Sequence, residues 1–174
     1  DTFATGDFTN VTAAQDIVIT EGVPGDLSLG TVNLNAPAEF EFKTVGSTVN
    51  STKSPLASDL QFATPVTVMS NVISFAVIQQ STVATTINIS GVKLRPTQGT
   101  PLPSGPLTVT GTAGAAGTAA TITTVPGAPT KLAFTVQPPL TAVAGQEFTD
   151  FNVTVQDQFG NTITGATDSI LVQA

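Results

Sequence analysis

The stretch TVNLNAPAEFEFKTV, Thr31 to Val45, alternates apolar and polar residues twice over. Val32 and Leu34 fall on one side of an extended chain, with Thr31, Asn33 and Asn35 on the other. Phe40 and Phe42 are then expected to point inward, with Glu39, Glu41 and Lys43 sharing the opposite face. Side chains alternate across a strand, so this period of two predicts half-buried β-ribbons. The same signal extends in both directions. DIVITE (Asp16 to Glu21) points Ile17 and Ile19 one way, and GVPGD (Gly22 to Asp26) supplies the residues of a turn. Further strands are predicted in DLQFA (59–63), VTVMS (66–70), VISFAVIQ (72–79), TTINISGVKL (85–94), PLTVTG (106–111) and AATITTV (119–125). No helical period competes.

The composition agrees. Charged residues make up 10% of the 174 and hydrophobic ones 40%, where about 25% charged is usual. Threonine, serine, asparagine and glutamine carry the polar role, and 12 Pro and 15 Gly punctuate the chain. Many short strands with Gly/Pro breaks predict an all-β sandwich or barrel. The net charge is −7, and Lys43, Lys53, Lys93, Arg95 and Lys131 stand singly. That leaves no basic stripe to neutralise phosphates, so nucleic acid and anionic membrane surfaces are not expected partners. No apolar run approaches the ~20 residues of a membrane span. The chain has no Cys, so disulfides and thiolate sites are excluded while the compartment stays open. Asp1 reads as a mature or excised N-terminus.

Four regions are expected: an extension at 1–12, a β-sandwich module at 13–125, a hinge PGAPT at 126–130, and a second module at 131–174. In the second module strands are predicted at 131–136, 147–156, 162–165 and 168–173. VTVQDQFGNTITG (Val153 to Gly165) reads as strand, turn and returning strand. Phe151, Val153 and Val155 share one face, and Gly160 and Asn161 are expected to take up the positive φ of a tight reversal.

The second module, through KLAF (131–134), the QPP break, AGQEF and VQDQFGNTIT, resembles the first half of immunoglobulin-like repeats found in tandem in large bacterial surface proteins and adhesins. The first module is similar to β-sandwich modules of secreted and surface-layer proteins, through DIVITEGVPGDLSLGTVNLNAP, EFEF and the later TTINISGVKLRPTQGTPLPSGPLTVTGTAG. These resemblances imply an antiparallel β-sandwich of immunoglobulin or jelly-roll type followed by a partial immunoglobulin-like module, and an extracellular, non-catalytic structural role.

Tests for chemistry point the same way. With no His, a His-based nucleophilic triad is impossible, and no Lys sits in a recognisable Ser–Lys motif. Glu39 and Glu41 form the nearest thing to a glycosidase carboxylate pair. With no Trp and no Tyr to stack a sugar, a solvated outer face is the better reading. Asp16, Glu21 and Asp26 flank the first turn, and Asp150 and Asp157 lie near later loops, but none shows the close acidic spacing calcium uses. No cofactor or metal is expected. Four N-x-[ST] sequons, at Asn10, Asn50, Asn88 and Asn152, mark candidate glycosylation sites of a secreted glycoprotein. Lys93 and Lys131 are candidates for lysine–asparagine cross-links.

An immunoglobulin-like sandwich needs about seven strands and ~100 residues, and the second module holds three or four. Two explanations stand side by side: a fragment of a tandem-repeat protein, or a subunit completed by a neighbour's strand. The segment DTFATGDFTNVTA offers Phe3, Phe8 and Val11 as donor-strand anchors. Head-to-tail donation would build a filament, making the chain a homopolymer through strand exchange. The expected function is an extracellular, cell-surface structural protein, either a layer or stalk or a self-assembling fibre. The alternative is an adhesion module binding glycan or protein through the Arg95–Pro106 loop.

Overall fold

The structure is a computed structural model that describes residues 9–10, 17–45, 49–63, 65–147, 149–167 and 169–170. Its strands are β1 (Thr9–Asn10), β2 (Ile17–Thr20), β3 (Gly30–Asn35), β4 (Phe40–Phe42), β5 (Asn50–Ser54), β6 (Gln61–Phe62), β7 (Thr67–Val68), β8 (Val72–Gln79), β9 (Thr86–Ser90), β10 (Lys93–Pro96), β11 (Ser104–Thr110), β12 (Gly117–Thr123), β13 (Lys131–Val136) and β14 (Asn152–Gln156). The chain forms two units. The first runs to Gln98 and resumes over Pro103–Thr124; the second takes Gly99–Leu102 and everything from Val125 onward.

The first unit is an antiparallel β-sandwich. One layer is a six-stranded sheet in the order β12-β11-β3-β8-β6, with β7 also pairing β8. The other layer is two three-stranded sheets, β2-β9-β5 and β1-β10-β4. Residues of both join one buried cluster with the large sheet. The predicted strand 85–94 is thus split at Gly91 and Val92.

The alternation read from Thr31–Val45 fills the core. Val32 and Leu34 of β3 have no exposed surface, and Phe42 of β4 has 2%. Cross-strand register places Val32 beside Phe75 and Leu34 beside Ile73 and Val109. Ile17, Phe40, Ile87, Ile89 and Leu94 from the second layer complete a single buried cluster. Each such side chain contributes roughly 1.5–3 kcal/mol of burial.

On the outer face of the large sheet the polar residues bond one another. Ser74 Oγ donates to Asn33 Oδ1 at 2.7 Å, and Asn35 Nδ2 donates to Thr110 Oγ1 at 2.9 Å. Thr31 N donates to Thr112 Oγ1 at 2.9 Å.

Two strands escaped the periodicity. β5 reads NSTKS, without an apolar residue, yet pairs with β9 over its whole length. Lys53 lies opposite Ile87, and its ammonium donates to the Ser58 carbonyl and, at 2.7 Å, to the Leu60 carbonyl. A lysine stem does the work of an apolar residue while its head is satisfied at the rim. β1 pairs Thr9 and Asn10 with Leu94 and Lys93, so this part of the expected 1–12 extension belongs to the sandwich itself. Phe3, Phe8 and Val11 lie outside the described residues.

The second unit is a two-stranded antiparallel sheet, β13 with β14. β13 occupies the predicted 131–136, whereas the strand expected at 147–156 starts only at Asn152. The strand expected at 162–165 is reduced to one bridge between Gln156 and Thr162. The prolines and glycine before Asn152 and the turn residues after Gly160 give no alternating apolar run to extend the ladder.

Candidate functional site

The β13–β14 sheet is amphipathic. Register pairs Leu132 with Val155 and Phe134 with Val153, and paired residues share a face. Phe151 joins them, its ring edge-on to Phe134 with centroids 5.9 Å apart. Lys131, Ala133, Thr135, Asn152 and Thr154 take the other face. Among the described residues of this unit no second layer covers the apolar side: Leu132 is 53% and Phe134 47% exposed. At one end a shallow recess of about 470 Å³ lies between Pro129, Leu132, Val155 and Ile170.

The turn after β14 is organised by one carboxylate. Asp157 is almost completely buried. Its Oδ1 accepts Phe159 N and Asn161 N, both at 2.9 Å, and its Oδ2 accepts Asn161 Nδ2 at 2.9 Å and Gly127 N at 3.0 Å. Burial alone would raise this carboxyl, but the bonds from the Asn161 side chain and from the Gly127, Asn161 and Phe159 amides outweigh it and lower it to about 2. Of the two residues expected to carry positive φ, only Gly160 does, at 94°. Asn161 acts through its amide: besides Asp157, Nδ2 donates to Gly99 O at 2.7 Å. Part of the Arg95–Pro106 loop expected as a contact surface is therefore used inside this unit.

A pH dependence follows. Asp157 has a folded value below its ordinary 3.8, so its contribution is complete above about pH 5 and is lost as pH falls towards 2. The drop to about 2 corresponds to ~2 kcal/mol, which solvent screening in so small a unit trims to ~1–2 kcal/mol. Melting followed between pH 6 and about 2 should show this loss, and Asp157→Asn should flatten that limb of the curve. An unchanged acid limb in the variant would remove Asp157 from the account.

The other sequence candidates do not converge. Glu39 lies outside β4, exposed and with φ 64° rather than an extended backbone. Glu41 is bonded to Arg95, with Oε1 at 2.6 Å from Nε and 2.5 Å from Nη2. Glu21 is buried, and Asp26 caps the first turn by accepting Gly22 N at 2.8 Å and Val23 N at 2.9 Å. Asp16 lies outside the described residues, and among those described no cluster of three or more metal-ligating side chains occurs. The sequons are dispersed. Asn50 and Asn152 are exposed on β5 and β14, and Asn88 is half-buried in the central strand β9. Asn10 is in β1, its side chain outside the description. Lys131 Nζ donates to Gln158 O at 3.5 Å, a backbone contact rather than a cross-link geometry, and Lys93 lies mid-sandwich in β10. Asp157 as a hub was missed, although an Asp with amides two and four residues on is a legible turn signal.

No protein-family model, curated protein or solved structure matches the chain.

Proposed function

We propose that the chain is a non-catalytic structural protein of the extracellular or cell-surface kind, whose second unit is completed by a strand from a neighbouring copy. The observation that carries this reading is the uncovered face of Leu132 and Phe134, which are about half exposed. A lone two-stranded sheet is marginal in water, so a covering strand would gain burial at this face and backbone pairing at its edges. The resemblance of this region to tandem surface repeats supports the same class. A donor running from one copy to the next does not close on itself and yields a fibre.

The N-terminal segment remains the proposed donor, narrowed to residues 1–8 because Thr9 and Asn10 pair within the sandwich. Deleting 1–8 is expected to abolish polymerisation, followed by light scattering and electron microscopy, while the first unit melts as before. Fibres of unchanged length from the deleted chain would sink the donation.

A further inference from the structure

We propose that a slot in the side of the sandwich binds a small organic cation, an ammonium group carried on an apolar body. The slot measures about 420 Å³ and lies within the first unit, between β2, the end of β11 and the segment entering β12. Sites for small molecules have volumes of this order. Val18, Leu27, Val109 and Ala119 give it apolar walls, and Glu21 and Asp26 add two carboxylates. Among the described residues that line it there is no lysine or arginine.

The fold shapes the slot in advance. One wall is the run GAAG, 114–117, whose side chains are too small to fill the space. The backbone just before this run is tied to the opposite wall: Ser28 N donates to Ala113 O at 2.9 Å, and Ala113 N donates to Thr31 O at 3.0 Å. A Cβ on Gly114 would stand 2.8 Å from Asp26 O, so the two walls meet closely at the base. A site already in its bound shape loses little affinity to reorganisation.

Charge selects the occupant. Glu21 is buried, and its carboxylate is held by three neutral donors, Leu27 N, Ser81 Oγ and Thr85 N. Such bonds satisfy its lone pairs and leave its charge without a counter-ion. Asp26 accepts Gly22 N and Val23 N through Oδ2, and Oδ1 has no partner among the described residues. Carboxylates beside apolar walls focus their field into the cleft, which draws in cations and turns anions away. The net charge of −7 acts in the same sense at longer range. The chain's own cations are engaged elsewhere, Lys53 on the Ser58 and Leu60 carbonyls, Arg95 on Glu41 and Lys131 at Gln158 O. An ammonium in the slot donates to Asp26 Oδ1 while its apolar body lies against Val18, Leu27 and Val109. The site uses the first unit alone and stands whether or not the second unit takes a strand from a neighbour.

Titration of the full chain with n-octylammonium at neutral pH tests it, followed by amide NMR shifts, with n-octanol and octanoate as matched probes. Saturable shifts are expected at Val18, Leu27 and Ala119. The amine should bind ~10-fold more tightly than the alcohol, since a charge-assisted bond replaces a neutral one, and octanoate should not bind. Asp26→Asn keeps an acceptor for the Gly22 and Val23 amides and is expected to weaken the amine about 5-fold while leaving the alcohol unchanged. Ala119→Leu, at an exposed position of β12, should fill the slot and weaken amine and alcohol alike. No shifts at these amides, an alcohol or octanoate that binds as tightly as the amine, or an Asp26→Asn chain with undiminished preference for the amine would overturn the proposal. The comparison of probes is made on the unaltered chain, so it decides the matter even if a variant fails to fold.

Discussion

Glu21→Ala is expected to destabilise the sandwich by ~3–4 kcal/mol, as much as a large core truncation. Glu21 follows β2 and is only 4% exposed. Its Oε1 accepts Leu27 N at 3.0 Å; its Oε2 accepts Ser81 Oγ at 2.6 Å and Thr85 N at 2.9 Å. Ser81 Oγ in turn accepts Gly25 N at 3.0 Å. One carboxylate thus ties the first turn to the loop between β8 and β9. Alanine would strand two buried amides, each costing about 1–3 kcal/mol, and leave a void where the side chain was. Glu21→Gln keeps one acceptor but turns an NH₂ towards donors, so about half the loss is expected there. Chemical denaturation reads both, as midpoint shifts at constant slope. A loss below ~1 kcal/mol for the alanine variant would mean that water replaces the carboxylate and that the tie is dispensable.

The second large effect is steric. Gly111 follows β11 with φ 133°, and a Cβ there would stand 2.1 Å from Thr31 O and 2.8 Å from Thr31 C. These are backbone atoms of β3, and Thr31 O also accepts Ala113 N at 3.0 Å. Relief would require β3 and β11 to part where Thr110 pairs with Asn33. Gly111→Ala is therefore expected to cost roughly 3 kcal/mol or more, from strained φ and displaced backbone together. Gly117→Ala is the control: its φ is 139°, yet nothing lies within 4 Å of the added Cβ. It should show the φ strain alone, ~1–2 kcal/mol. Equal melting-temperature losses for the two variants would show that the clash relaxes without cost.

The comparison between these sites explains what sequence reading could reach. β3, β4 and β8 were legible because their apolar residues alternate over a continuous stretch and need no distant partner to define the face. β5 was not, since Lys53 stands where an apolar residue would, and only Ile87 across the ladder reveals its direction. Glu41 keeps its expected place opposite Phe40 and Phe42, but the start of the strand was misjudged at Glu39, which takes a left-handed conformation instead of an extended one. Glu21 was legible only as one of the acids flanking the first turn. Its partners Ser81 and Thr85 lie some 60 residues away, a distance over which one sequence carries no pairing signal. Asp157 was different: apart from Gly127 its partners Phe159 and Asn161 are local, and their spacing was there to be read.

The outer bonds of the large sheet have a further consequence, for ionic strength. Ser74 with Asn33, Asn35 with Thr108 and Thr110, and Thr31 with Thr112 are all neutral pairs. Five cations in the chain allow only a handful of ion pairs in any case. Screening by salt therefore has little to weaken inside the fold, while it does weaken the mutual repulsion of molecules carrying −7 each. Salt thus has little to loosen within the single molecule and acts chiefly on the repulsion between molecules.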